Sequence, residues 1–321
     1  MPVELQTFVS PEDAEKCLAL PGGGPFKLGK GQITDASELA LSLGNGLVAG
    51  NGVLDLNKIA AEYYKWYETG PFDLGVAMKN ALVQAGNVDM NQSVRVRKSA
   101  LESQGSQTNS ALMRIAPLCV WVSKLNRDDL IAAVREETRL THPNVTAQHV
   151  SIVYAYTISH LLNNPGQHEQ AYAKCKEMVE FLGDDTIKGW LEELENDKLP
   201  AASENATSVK IAFTYAIYQM RKNAKYEEGI IAVLRKGGNT DTNCCVTGAM
   251  LGALHGLSGI PERIVTQVLN FNAEVDGGVK RPDFLTPRVC AEGIMAKIIA
   301  MRPSALNIVG AETELEKSKI K

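Results

Sequence analysis

The sequence predicts an all-α protein built as one domain. Three observations carry that reading. Apolar residues recur at spacings of three and four along most of the chain, as on the buried stripe of a helix. No stretch alternates apolar and polar residues for long enough to make a sizeable sheet. The breaks between periodic stretches are short and rich in glycine, proline and asparagine, as in Pro21-Gly22-Gly23-Gly24-Pro25, Gly70-Pro71, Asn163-Asn164-Pro165-Gly166 and Gly237-Gly238-Asn239.

Taken in order, the periodicity predicts helices over about 36–48, 56–68, 74–86, 107–121, 127–137, 145–163 and 166–181. Further helices are expected over about 186–195, 206–222, 226–234, 241–255, 261–271 and 287–300. Asp73, Asn126 and Asn205 stand just before such stretches and are the expected N-caps. With no long linker, low-complexity block or repeat, a single domain is expected over 1–310, followed by a frayed, solvated end over 311–321. The 321 residues, 45% hydrophobic and 22% charged, supply enough apolar side chains for a sizeable core. Aromatic residues are only 6%, so that core must rest on Ala, Leu, Ile, Val and Met.

Composition also excludes functions. The 33 basic and 37 acidic residues leave a net charge of −4, with no block of like charge, which disfavours nucleic acid and anionic membranes as partners. No apolar run reaches the roughly 18–20 residues that span a bilayer. The start, Met1-Pro2-Val3-Glu4-Leu5, has neither the basic region nor the apolar stretch of a signal peptide. Cys17, Cys119, Cys175, Cys244, Cys245 and Cys290 form no CxxC pair and no metal-ligand spacing, so reduced thiols in a cytoplasmic protein are expected. The triplets at Asn91, Asn144 and Asn205 carry no weight as glycosylation sites without a secretory route.

Four segments are more polar than a connection requires. Gly31-Gln32-Ile33-Thr34-Asp35-Ala36-Ser37-Glu38 sets a hydroxyl and a carboxylate at the mouth of a helix, oxygen ligands suited to Mg²⁺ or equally to capping. Lys236-Gly237-Gly238-Asn239-Thr240-Asp241-Thr242-Asn243 crowds five cap-type residues ahead of the Gly/Ala-rich stretch Gly248–Ala253, more than one cap needs. Glu102–Arg114 is a Gly/Ser/Asn-rich run leading into a predicted helix, either a phosphate cradle or an ordinary capped loop. Thr141-His142-Pro143-Asn144 holds a histidine that is either a ligand contact or structural.

In this order the segments resemble the ADP-ribosylglycohydrolase family, which includes the dinitrogenase-reductase-activating and ADP-ribosyl-acceptor hydrolases and is similar to the J1-type crystallins. The matching stretches are Gly31–Glu38, Trp66 with Pro71-Phe72-Asp73-Leu74-Gly75, Ser106–Pro117, Thr141-His142-Pro143 and Gly237–Gly256. The resemblance implies an all-α, roughly orthogonal helical fold and a hydrolase that frees ADP-ribose, with Mg²⁺ help, from a modified side chain or ester. Its partners would be ADP-ribose or an ADP-ribosylated protein. By position, Thr34, Asp35, Asn239, Asp241 and Thr242 match metal ligands and Glu4 the catalytic glutamate. Ser106, Gln107, Thr108 and Asn109 would line the diphosphate, and His142 would contact ADP-ribose. Arg114, inside a predicted helix, reads as buried support for the loop.

Four departures qualify the resemblance. Ala36 and Asn239 stand where the family pattern has aspartates, and Ser110 replaces a glycine, where a β-carbon would crowd the phosphate if the position needs a positive φ. With Asp35 and Asp241 as the remaining ligand carboxylates, one weakly held Mg²⁺ is expected rather than two, with reduced activity, or a silent ADP-ribose-binding or structural member. The family's first helix has no counterpart, which is expected to leave apolar surface for a partner subunit, a rearranged terminus or water to fill.

Overall fold

Helix follows helix through the computed structural model, which describes residues 2–86 and 92–311, with the backbone alone over 289–292. The first eight helices are α1 (Pro11–Cys17), α2 (Asp35–Gly50), α3 (Leu56–Glu68), α4 (Val76–Leu82), α5 (Gln92–Ala100), α6 (Ala116–Trp121), α7 (Arg127–Thr138) and α8 (Val145–Asn163). The rest are α9 (His168–Leu182), α10 (Asp185–Glu195), α11 (Val209–Arg221), α12 (Tyr226–Leu234), α13 (Thr240–His255), α14 (Glu262–Leu269), α15 (Ala273–Asp276) and α16 (Pro287–Ala300). The one sheet among the described residues is a parallel pair, β1 (Leu54–Asp55) with β2 (Ile308–Val309), in register Leu54 to Ile308. No described helix is long and apolar enough to cross a membrane.

The helices sit where their apolar stripes can meet. Leu39, Leu43 and Leu47, four apart on α2, are buried against Ile59, Tyr63 and Trp66 of α3 in the main core, which continues through Val150 and Tyr154 of α8 to Met250 and Leu254 of α13. Each buried leucine of this kind contributes roughly 1.5–3 kcal/mol. A second cluster gathers Val3, Val9, Ala14 and Cys17 with Ile211, Tyr215, Ile230, Val233 and Cys244, so the N-terminal segment covers apolar surface of α11, α12 and α13. The five described thiols are free and all but Cys245 are fully buried; the Cys290 side chain lies outside the described residues.

Several sequence expectations need correction. The stretch over 107–121 is helical only at Ala116–Trp121, because the backbone of Gln107 and Asn109 pairs with Val209 and Thr207 instead of with itself. Asp73 caps nothing: α4 starts at Val76 behind Gly75. Asn205 yields the cap of α11 to Ser208, whose hydroxyl accepts from the Lys210 amide. Asn126 does cap α7, accepting from the Asp129 amide. Helices α1 and α5 lacked a long enough periodic stretch to be anticipated. Asn91 and the terminal stretch over 312–321 lie outside the described residues.

One connection positions the site. Leu5 donates its amide to the Gly238 carbonyl at 2.9 Å, and Gly238 donates back to the Gln6 carbonyl at 2.8 Å. Leu5 takes a φ of 64°, uncommon for a branched side chain, and this turn sends Glu4 inward while Leu5 stays exposed. Gly237 beneath it has a φ of 70°, and a β-carbon there would stand 2.3 Å from the Gln6 carbonyl oxygen. Gly237→Ala is expected to cost about 1–3 kcal/mol and loosen the N-terminal segment, seen as a lowered melting temperature with faster proteolysis before α1.

Candidate active site

The starts of α2 and α13 point at one another. Thr34 and Asn239, at the two N-cap positions, make no capping bond with their own side chains. The Thr34 hydroxyl instead donates to Asp241 Oδ2 at 2.9 Å, tying one helix start to the other. Asp241 Oδ1 accepts from its own helix, at 2.6 Å from the Thr242 amide and 3.4 Å from the Thr242 hydroxyl. Asp35 Oδ1 accepts from the Ala36 amide at 2.8 Å. Both carboxylates therefore sit in the first turn of a helix, where exposed N–H groups favour negative charge.

Asp73 completes the group. Carboxylate oxygens of Asp35, Asp73 and Asp241 lie within 4.8 Å of one another, with Asp35 buried and the other two half-buried. Such an arrangement repels itself. Burial, then Asp73 and Asp241, holds the Asp35 carboxyl well above its usual range. Burial, then Asp241, raises Asp73 to about 6. The sequence pattern leaves Asp35 and Asp241 as ligand carboxylates; the structure adds a third, Asp73. Asp73 belongs to the matching Pro71–Gly75 stretch, where its place ahead of an apolar run also predicts a cap.

Glu4 reaches the same place from the N-terminal segment. Its Oε2 accepts from the Thr240 hydroxyl at 2.6 Å and the Asp241 amide at 2.8 Å, so Glu4 caps α13 from a distance. Its Oε1 accepts from Asn239 Nδ2 at 3.1 Å. Burial, then the charge on Asp241, pushes the Glu4 carboxyl up to about 7. Asn239 turns its amide nitrogen toward Glu4 and Asp241 and its oxygen toward Asn109 Nδ2, 2.9 Å away. Ala36 is buried in the main core and offers the site no side-chain oxygen.

The polar loop forms a second group joined to the first through Asn109. The hydroxyls of Ser106 and Thr108 are 3.2 Å apart, and Thr108 Oγ1 is 3.1 Å from His142 Nε2. Gln107 is exposed. His142 is wholly buried, with Nδ1 2.8 Å from the Thr141 hydroxyl, and burial with nearby Arg114 lowers it to about 3. Arg114 Nη2 donates to that same Thr141 hydroxyl at 2.8 Å, so Thr141 links the buried guanidinium to the His142 ring. His142 is thus a neutral buttress of the loop in this structure. Arg114 is itself fully buried, paired with Glu137, which also accepts from Tyr63 at 2.5 Å. Ser110 is absent from the positive-φ positions, so its β-carbon meets no backbone penalty.

Three hard oxygen ligands converging on one point, with two carboxyls raised by burial and mutual repulsion, suit a divalent cation. Residues 1–293 match the profile of the family ADP-ribosylglycohydrolase, and the chain belongs to that family of hydrolases. Among its relatives is a protein of Acanthamoeba polyphaga mimivirus, named for the same glycohydrolases, 28% identical over 79% of this chain and 80% of its own. Another is the ADP-ribosyl-[dinitrogen reductase] glycohydrolase of Rhodospirillum rubrum, 24% identical over 75% of both chains. A solved chain described as an ADP-ribosylglycohydrolase-related protein complex matches with a TM-score of 0.68 at 23% identity, over 95% of this chain and 92% of its own; that likeness shows the fold.

A carboxyl held above its usual range favours the folded state while protonated. That contribution is complete below about pH 4 and is lost as pH rises through the raised values, about 6 for Asp73 and about 7 for Glu4. Protein kept in chelator is therefore expected to lose melting temperature between pH 5 and 7.5 relative to the same protein with Mg²⁺. The gap should widen with pH, because the ion binds the deprotonated ligands. Thermal scans with and without Mg²⁺ across that range check the sign.

Proposed function

We propose that this protein hydrolyses the C1″ bond between ADP-ribose and a modified protein side chain, aided by one Mg²⁺ and with reduced activity. The observation that carries this reading is the meeting of Asp35, Asp73 and Asp241 within 4.8 Å, beside Glu4. Asp35, Asp73 and Asp241 would hold the ion, which would supply Lewis-acid chemistry toward the ribose. Thr34 and Thr242 orient Asp241 by hydrogen bonds. Glu4, with a carboxyl raised to about 7, exchanges its proton near neutral pH, which suits it to take a proton from the attacking water or pass one to the leaving group. Ser106, Gln107, Thr108 and Asn109 supply polar contacts for the diphosphate, and Asn109 joins that loop to the reacting end through Asn239.

The relative named for dinitrogen reductase acts on an ADP-ribosylated protein, which supports a protein substrate here. Ala36 and Asn239 support reduced turnover, because each removes an anionic ligand from the pattern and leaves one ion in place of two. The same two residues are the case for a silent ADP-ribose-binding protein. Release of ADP-ribose from arginine-, serine- and O-acetyl-linked substrates separates the two. Slow, Mg²⁺-dependent release is expected, falling about 10²–10⁴-fold in Glu4→Gln. No release at high enzyme concentration, with turnover appearing only when Ala36→Asp is combined with Asn239→Asp, would establish the silent reading.

A further inference from the structure

Arg281 ties together the two elements that carry Asp35 and Asp73, and the hydrolytic step leaves it without a part. It stands on the connection between α15 and α16. That connection runs against the chain leading into α2. Gln32 Nε2 donates to the Val279 carbonyl at 2.7 Å, and Gln32 Oε1 accepts from the Val279 amide at 3.0 Å. The two backbones are close: a β-carbon on Gly278, whose φ is 93°, would stand 2.1 Å from the Gly29 amide nitrogen. Arg281 therefore starts from a fixed base.

Its guanidinium reaches in two directions. Toward α2, Nε and Nη2 donate to the two oxygens of Glu38 at 2.8 and 2.9 Å, with Glu38 buried and Arg281 nearly so. Glu38 lies three residues after Asp35, on the same side of the helix. It is also among the charges that raise Asp35, after burial, Asp73 and Asp241. In the other direction, Nη2 donates to the Thr69 hydroxyl at 2.7 Å and Nη1 to the Thr69 carbonyl at 3.4 Å. The same group lies 5.7 Å from the Phe72 ring centroid. Thr69 and Phe72 belong to the connection that carries Asp73 from α3 to α4. Trp66, near the end of α3, closes the link by donating its indole N–H to Glu38 Oε2 at 2.7 Å.

An ion pair shut away this far adds little to the fold once desolvation is counted. What it adds is a fixed spacing between two elements whose aspartates repel one another. We propose that Arg281 is a positioning residue of the ion site: by gripping Glu38 and Thr69 at once, it holds Asp35 and Asp73 at the separation one divalent ion needs. This rests on the metal-assisted hydrolase reading for the ion itself.

Charge and geometry predict opposite signs. Loss of a cation near three carboxylates would by itself tighten a divalent ion, whereas loss of the clamp would loosen it. Mn²⁺ affinity is measured by electron paramagnetic resonance in the unmodified protein, in Arg281→Lys, and in Glu38→Gln combined with Arg281→Met. The double variant strands no buried charge and keeps the local net charge, so it loses the clamp alone; its Mn²⁺ affinity is expected to fall about tenfold. Arg281→Lys keeps the charge but not the fork, and a fall of about three- to tenfold is expected. Melting temperature in chelator reads the fold separately, and should the double variant not fold, Arg281→Lys decides alone. A lowered melting temperature with Mn²⁺ affinity unchanged would overturn the proposal and assign Arg281 to the fold. Tighter binding would overturn it as well, leaving charge as the whole effect. Absence of Mn²⁺ binding in the unmodified protein would overturn both this inference and the ion beneath it. An ion weakened by Asp73→Asn but not by the Arg281 variants would overturn this inference and leave the ion standing.

Discussion

Everything at this site follows from holding like charges together. Asp35, Asp73 and Asp241 bring carboxylate oxygens within 4.8 Å, and one of the three is buried. Left ionised and without a counter-charge, such a group would drive its elements apart. The surroundings answer with fixed donors: the Thr34 hydroxyl on Asp241, helix amides on Asp35 and Asp241, and the Thr240 hydroxyl on Glu4. These bonds connect α2, α13 and the N-terminal segment through the acids themselves, so site and fold share the same contacts.

The layers behind the site are built to keep those donors still. Leucines of α2 and aromatics of α3 lock the first helix start against the core. The Gly237–Gly238 turn, bonded to Leu5 and Gln6, sets Glu4 at the second. The polar loop is braced from beneath by a buried chain running from Glu137 through Arg114, Thr141 and His142 to Thr108. Burying the Arg114–Glu137 pair gains little stability in itself, but removing either member would strand a charge in the core. The pair therefore fixes the loop's position more than it strengthens the fold.

The helical architecture was legible because burial here is helical burial. Stretches such as 56–68, 145–163 and 226–234 have long apolar stripes, and their predicted and observed bounds coincide. Short helices such as α1 expose most of their residues and leave no stripe to find. The run over 107–121 misled because polar residues there spend their backbone bonds on Thr207 and Val209, a long-range choice that local pattern does not record. Thr34, Asp35, Asp241 and Glu4 are grouped by the family resemblance, position by position, rather than by any local pattern. Asp73 lies in a matching stretch too, but an aspartate shortly before an apolar stretch looks like a cap until the helix is seen to begin behind Gly75. His142 shows what local pattern leaves open: the motif allows a ligand contact or a structural role, and the structure sets the ring in full burial between two hydroxyls.

Three carboxylates, not two, would make the site for one divalent ion. Counting bound Mn²⁺ by electron paramagnetic resonance, in the unmodified protein and in Asp73→Asn, tests it most directly. One ion per chain is expected in the unmodified protein, with at least a tenfold weaker affinity when Asp73 loses its charge. Two ions per chain, or binding indifferent to Asp73→Asn, would contradict it.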